Sequence, residues 1–202
     1  LYSLKQQSLS MAKDLSAATK TVTDAVTIYA NENESVSSML NKAQPTVLLS
    51  SASGMSSSSS ADAIQGILNQ FNLSEDQAMH VADTVEKLSS EIALDFSKGC
   101  DTISQSIATS GSVVNEAGMS FEKYAALVST TAEKTRVSGS QIGNAFKTIF
   151  SRISRSKDGL TTDAEMSDAE AALKSVGVSV RGADGDLRDI SDTLDDLNKV
   201  WG

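Results

Sequence analysis

The sequence predicts a mainly α fold: a multi-helix bundle of amphipathic helices, with a long N-terminal helix and one small β-hairpin near residues 178–188. Three observations carry that prediction. Apolar residues recur at i, i+3, i+4 and i+7 through most of the chain, the period of a helix that buries one stripe. Proline occurs once in 202 residues and aromatic residues make up 4%, so little interrupts helices whose many Ala and Ser side chains permit close lateral packing. Serine or threonine stands ahead of the apolar periods, at Ser74 and Thr162 with Gln or Glu three positions later, which is how a helix N-terminus is written.

Residues 1–45 carry a heptad. One register runs Leu1, Ser8, Leu15, Val22, Tyr29 and Val36, and its companion runs Leu4, Met11, Ala18, Ala25, Glu32 and Met39. The mean spacing of 3.5 residues predicts one long helix, packed on neighbours more readily than standing as a free coiled coil because Ser8, Glu32 and two alanines weaken the seam. Pro45 is expected to end it, since proline lacks the amide hydrogen and disfavours the α conformation in its predecessor. Residues 46–60 then read as a Ser-rich connector.

Residues 61–157 read as a helical core. Ser60 is placed as the cap of a helix 61–71 bearing Ile64, Ile67, Leu68 and Phe71. Ser74 with Gln77 opens the next, whose stripe is Ala78, Val81, Val85, Leu88 and Ile92. The stretch 96–118 is less regular. Its glycines divide it into a helix over 100–109 and a shorter one over 112–117. Two capped amphipathic helices follow. Phe121, Tyr124, Ala125, Val128 and Ala132 share one face of the first, behind Ser120. Ile142, Ala145, Phe146, Ile149, Phe150 and Ile153 share one face of the second, behind Ser138 or Ser140. At about 100° per residue, Lys147, Arg152 and Arg155 fall opposite that stripe. Leu73-Ser74, Met119-Ser120 and Val137-Ser138 all place an apolar residue and a serine before a helix, at intervals too uneven for a solenoid.

Residues 158–202 read as an acidic helix–hairpin–helix segment. Thr162 with Glu165 starts a helix that Gly177 stops. Val178 to Arg188 supplies the hairpin, and Ile190, Leu194, Leu197 and Trp201 mark a last amphipathic helix. Asp184 and Asp186 lack the further ligands and the glycine a calcium loop needs, so turn chemistry accounts for them.

Charge and special residues narrow the function. The net charge is −9, of which residues 158–202 contribute −7, and an acidic surface argues against specific nucleic-acid binding. The single cysteine, Cys100, allows no intrachain disulfide and reads as a small buried hydrophobe. The single histidine, His80, lies off its helix's apolar stripe with no metal-ligand partners in sequence. No apolar run approaches the roughly 20 residues of a membrane helix. The residues point to no enzyme, no catalytic or metal site and no cofactor. The chain opens on Leu1 and closes on Trp201-Gly202 after an amphipathic pattern, which reads as a piece of a longer protein.

The run from Leu73 to Trp201 resembles the core region of phage tail tape measure proteins. The order of its motifs carries the likeness: Asn69 to Leu73 ahead of Ala78 to Asp83, Gly118 to Leu127, Val137 to Arg152, then Leu173 to Val180 with Asp184 to Asp189 and Leu194 to Leu197. The resemblance implies a virion structural component that occupies the tail-tube lumen, sets tail length and aids DNA ejection. It implies residence in the virion tail, and in host cytoplasm during assembly. Implied partners are further copies of itself, the tail tube protein and tail assembly chaperones, with membrane contact only through parts outside this stretch. It brings no catalytic residues. The interaction candidates are Lys147, Arg152 and Arg155 on the basic face, facing the acidic segment or another copy, and Leu15, Val22 and Tyr29 on the heptad seam. Three other readings stand beside it: a generic helical secretion or adhesion protein, a membrane-active helical segment, and a hydrolase domain. The last is the poorest, for want of a nucleophile, metal or carboxylate pair.

Overall fold

The computed structural model describes residues 2–31, 35–92, 95–154, 168–186 and 188–201. In chain order the helices are α1 (Tyr2–Asp14), α2 (Thr19–Ala30), α3 (Val36–Ser53), α4 (Ser57–Gln70), α5 (Ala78–Glu91), α6 (Phe96–Glu116), α7 (Phe121–Thr135), α8 (Gly139–Ser154), α9 (Asp168–Ser175) and α10 (Ile190–Trp201), with a 3₁₀ turn at Glu75–Gln77 before α5. The mainly α prediction is met.

Four of the joints share one construction. After α4, Asn72 takes a left-handed φ of 52°, its amide bonds back to Asn69 O, and Leu73 N bonds to Leu68 O at 2.9 Å. This doubly bonded stop satisfies the carbonyls a helix end leaves open, and Leu73 packs towards Leu68 as the motif favours. The same pair of bonds recurs at Ser16-Ala17 after α1, Gly118-Met119 after α6 and Gly177-Val178 after α9. After α7 the simpler form appears, with Arg136 at φ 57° donating to Ala132 O at 2.8 Å. Serine then caps the next helix: Ser74 with Gln77 forms the expected capping box, Ser120 accepts from Lys123 N, and Ser138 accepts from Gln141 N while Gln141 Oε1 accepts from Ser138 N.

Two apolar clusters result. The larger gathers Ile64, Ile67, Leu68 and Phe71 of α4 and its end, Val81 and Val85 of α5, Ile103, Ile107 and Val114 of α6, Phe121, Tyr124 and Val128 of α7, and Ile142 and Phe150 of α8. The smaller gathers Ala12, Val22, Ala25, Val26, Tyr29, Met39, Ala43, Val47 and Ala61. Helices α3 and α4 contribute to both, Leu49 and Ile64 to the larger, Val47 and Ala61 to the smaller. Lys42 of α3, 1% exposed, lies in the smaller cluster's wall. Its Nζ sits 4.8 Å over the Tyr29 ring and donates to Gln65 Oε1 at 3.1 Å.

Helix α6 is the hub of the larger cluster. Gly139 of α8 lies against Thr102 and Gly143 against Ser106 and Thr109, so α8 runs parallel to α6 at very close range. A Cβ at Gly143 would come within 2.8 Å of the Ser106 carbonyl oxygen; only glycine admits that approach. Helix α7 runs the other way, and its Tyr124 hydroxyl is buried between Ser106 Oγ at 3.1 Å and Ser110 Oγ at 2.5 Å. Edge-on contacts of Tyr124 with Phe146 and Phe150, at centroid separations of 5.6 and 6.3 Å, complete the seam.

The structure corrects five expectations. The long N-terminal helix is three: the left-handed stop at Ser16 turns α1 into α2, and Asn31 ends α2 before Ser35 caps α3. The heptad therefore marks side chains that meet inside a helical cluster rather than along one rod. Pro45 does not end a helix but lies buried within α3, where the apolar contacts of its turns outweigh the lost hydrogen bond, a loss of about 3 kcal/mol at an unsupported site. Residues 46–60 are helical except at 54–56, and Ser56, not Ser60, caps α4; Ser60 is fully buried. The region 96–116 is one helix, because Gly99 and Gly111 serve close packing, against Ser89 and against Gln70 and Phe71, rather than interruption. The small β-hairpin near 178–188 is not seen among the described residues. Two backbone bonds, Gly182 N to Asp186 O and Arg188 N to Val180 O, close a loop there, and Arg181 and Arg188 side chains donate to the Gly185 and Ser179 carbonyls. Two rungs with no third strand do not sustain a sheet. The expected turn at 156–159 and the capping box of Thr162 with Glu165 lie outside the described residues.

Candidate interaction surfaces

The predicted interaction residues separate into two kinds. Val22 and Tyr29 are fully buried in the smaller cluster, where the Tyr29 hydroxyl meets Thr46 Oγ1 at 2.7 Å, and Leu15 is half-buried beside them. The seam they define faces the chain's own interior. Lys147 is exposed on the outer face of α8. Arg152 stands on the same helix, with its side chain outside the described set, and Arg155 lies outside the described residues.

A different charged locus emerges at the first turn of α7. Ser120 caps the helix, and the next residues hold partners on two other elements. Glu122 Oε1 lies 2.7 Å from His80 Nε2 of α5, and Lys123 Nζ lies 3.1 Å from Asp189 Oδ2, immediately ahead of α10. Partial burial would push the Glu122 carboxyl up. The hydrogen bond from His80, with those from its own amide and Ser120, holds it below its ordinary value. Asp189 behaves alike: burial raises it, and the Ser191 amide together with Lys123 prevails and lowers it. The sequence put His80 off its helix's apolar stripe, and it is exposed there, but it held no signal for Lys123 and Asp189, which are brought together from 66 residues apart.

The remaining reactive groups sit in packing roles. Cys100 is fully buried, and burial pushes its thiol up, away from the thiolate a nucleophile needs. Burial likewise raises the Tyr124 hydroxyl against its two serine bonds. Glu86 is raised by burial and by Asp83. Among the described residues no group of three or more His, Cys, Asp and Glu could hold a metal ion, and no helix is long and apolar enough to cross a membrane.

The surface is grooved. Between α4 and α6 runs a groove of about 220 Å³ floored by Ala63, Gly66, Ile67 and Ala108, with Asp62 and Asp101 along it. Another, of about 370 Å³, lies between α1 and α2 and is lined by Leu4, Leu9 and Val26 among threonines. Ile149 of α8 and Val200 of α10 are exposed by 47% and 48%.

Comparison with known proteins gives this architecture a context. Residues 5–202 match the model of the family described as phage-related minor tail protein. A protein named as the probable tape measure protein of Escherichia phage P2 is 24% identical over 194 residues, which is 96% of this chain and 22% of that protein. The chain thus spans about a fifth of that relative's length. No solved structure matches it.

Proposed function

The chain belongs to the phage-related minor tail protein family, a structural component of phage tails, and from that premise we propose that it is a stretch of a tape measure protein. The observation that carries the proposal is the likeness to the phage P2 tape measure protein along 96% of the chain. In this reading the parent protein occupies the tail-tube lumen, fixes tail length by its own length and leaves as DNA is ejected. It is made in host cytoplasm, with further copies of itself, the tail tube protein and tail assembly chaperones as partners. The family assignment makes the structural role the primary one; no catalysis is invoked.

The physical character of the chain supports that role. Helices of modest length join mostly through short connections of three to five residues, and apolar stripes meet through small residues, as Gly139 and Gly143 do on α6. Such a chain can exchange intramolecular partners for those of another copy without exposing a different kind of surface.

The test is tail length. Residues 61–154 are duplicated in frame in the parent gene, and tails are measured by electron microscopy. If the duplicate lies along the tube as helix, at about 1.5 Å per residue, tails lengthen by about 140 Å. Intact tails of unchanged length that contain the longer protein would refute the proposal.

A further inference from the structure

Residues 168–201 form a C-terminal arm with cohesion of its own. Arg181 of the loop pairs with Glu170 of α9 at 3.2 Å, and Arg188 pairs with Asp196 of α10 at 2.8 Å. Val178, Val180 and Thr193 are buried, yet neither valine belongs to the bundle's two apolar clusters. The arm meets the bundle where α9 packs on α8, and a polar tie between arm and bundle stands at Asp189.

The two oxygens of that carboxylate serve different elements. Oδ1 accepts from Ser191 N at 2.8 Å, closing the first turn of α10, and the Asp189 carbonyl accepts from Thr193 N. Oδ2 accepts from Lys123 Nζ of α7 at 3.1 Å. The cap therefore has its rotamer fixed by a residue of the bundle, and the ion pair has its carboxylate fixed by the helix it starts. Lys123 is itself placed by the capped first turn of α7, whose Glu122 holds His80 of α5.

We infer that Asp189 couples docking of the C-terminal arm to formation of the first turn of α10, so that loss of the Lys123 contact loosens a helix that Lys123 does not belong to. The coupling is reversible and salt-sensitive, because the pair's side chains are 51% and 34% exposed and such pairs are weak and screened. The inference concerns the arm alone and stands whether or not the chain is a tape measure stretch.

Amide hydrogen exchange on the full chain, resolved over residues 191–194, tests it. Lys123→Met accelerates exchange there by about two- to five-fold, the span of an exposed ion pair. Asp189→Ser keeps a capping oxygen but removes the charge, and it gives the same acceleration. The double variant is no faster than either single one, because the two changes remove one interaction. Raising NaCl from about 0.05 to about 0.5 M accelerates these amides more in the parent chain than in Lys123→Met, which keeps the arm's own Arg188–Asp196 pair to be screened. Three results would overturn the inference: exchange at 191–194 unmoved by Lys123→Met, a double variant showing the product of the single effects, or equal acceleration throughout α5 and α7. The last would make Lys123 a general support of the bundle.

Discussion

Replacing Gly139 by Ala sets two effects against each other, and the structure decides the sign. Alanine is about 1 kcal/mol better than glycine inside a helix, though less at a first position such as this. Against that, a Cβ at Gly139 would collide with the Thr102 carbonyl oxygen and stand 2.9 Å from Thr102 Cα. Both are backbone atoms in the middle of the bundle's hub, so no side-chain rotation relieves them. Ordinary carbon contacts lie at about 3.5–4 Å, so α8 must lift by roughly 0.5–1 Å, forfeiting a quarter to a half of each contact along the seam. Overpacking of this kind costs about 1–3 kcal/mol. The net expectation is a loss of about 1–2 kcal/mol, which in a chain of this size lowers Tm by about 2–8 °C.

Circular dichroism melting at 222 nm measures the shift, and Gly66→Ala on α4 is the control. No atom lies within 4 Å of a Cβ built at Gly66, so that change shows the propensity effect alone, a gain of up to about 1 kcal/mol. Gly66→Ala should therefore raise Tm by about 1–4 °C while Gly139→Ala lowers it. A Gly139→Ala protein that melts at or above the parent temperature would falsify the close-approach argument and with it the parallel α6–α8 seam.

Three further predictions follow from single residues. Arg136 is a non-glycine residue at φ 57°, so Arg136→Gly relieves left-handed strain and raises Tm by about 1–3 °C; an unchanged or lower Tm counts against the stop described after α7. Cys100, buried with a raised thiol, reacts with Ellman's reagent at pH 8 only as fast as the bundle opens, and prompt stoichiometric reaction of the native chain would contradict its placement. Asp189 and Glu122 both have folded-state values below the ordinary carboxylate range, so the stability they lend is present above about pH 4 and lost as pH falls through the depressed values. Amide exchange over residues 191–194, corrected for its intrinsic pH dependence, should accordingly quicken on acidification before the helical signal of the bundle falls, and simultaneous loss of both would deny the arm its separate response.

How legible the fold was depended on the range of the interactions. Stripes such as Ile64, Ile67, Leu68 and Phe71, or Phe121, Tyr124, Val128 and Ala132, are local in sequence, and each lies buried as its spacing requires. The caps at Ser74, Ser120 and Ser138 were equally local. Pro45 and the glycines of α6 misled because their local preference was overruled by packing that only the tertiary structure supplies: Pro45 lies among buried turns of α3, and Gly111 is where α4 presses on α6. The hairpin failed for the opposite reason, since its alternation was real but no third strand stands beside it among the described residues. At the surface, Lys147 was read correctly as outward-facing. The meeting of Lys123 with Asp189 was out of reach, because neither residue carries a motif and 66 residues intervene.

The pairs Leu73-Ser74, Met119-Ser120 and Val137-Ser138 were visible as a recurrence too uneven to be a structural repeat, and the structure gives them a common cause. Each is preceded by a left-handed residue: Asn72, Gly118 or Arg136. The apolar member closes the helix behind it, as Leu73 and Met119 do through bonds to Leu68 and Val114, and the serine opens the helix ahead. What recurs is therefore the joint, not the helix. Irregular spacing follows naturally, since joints place no demand on the length between them. The joint also fixes how the apolar stripes meet. With φ held positive, the chain reverses and each stripe buries against its neighbour in the same molecule. Returning that residue to helical φ would not by itself straighten the joint, because the capping serine is held extended as well, at ψ 157° for Ser74 and 161° for Ser120. Holding a residue left-handed costs about 1–2 kcal/mol for most side chains, less for asparagine and almost nothing for glycine, so of the three joints the one at Arg136 carries the most strain and the one at Gly118 the least.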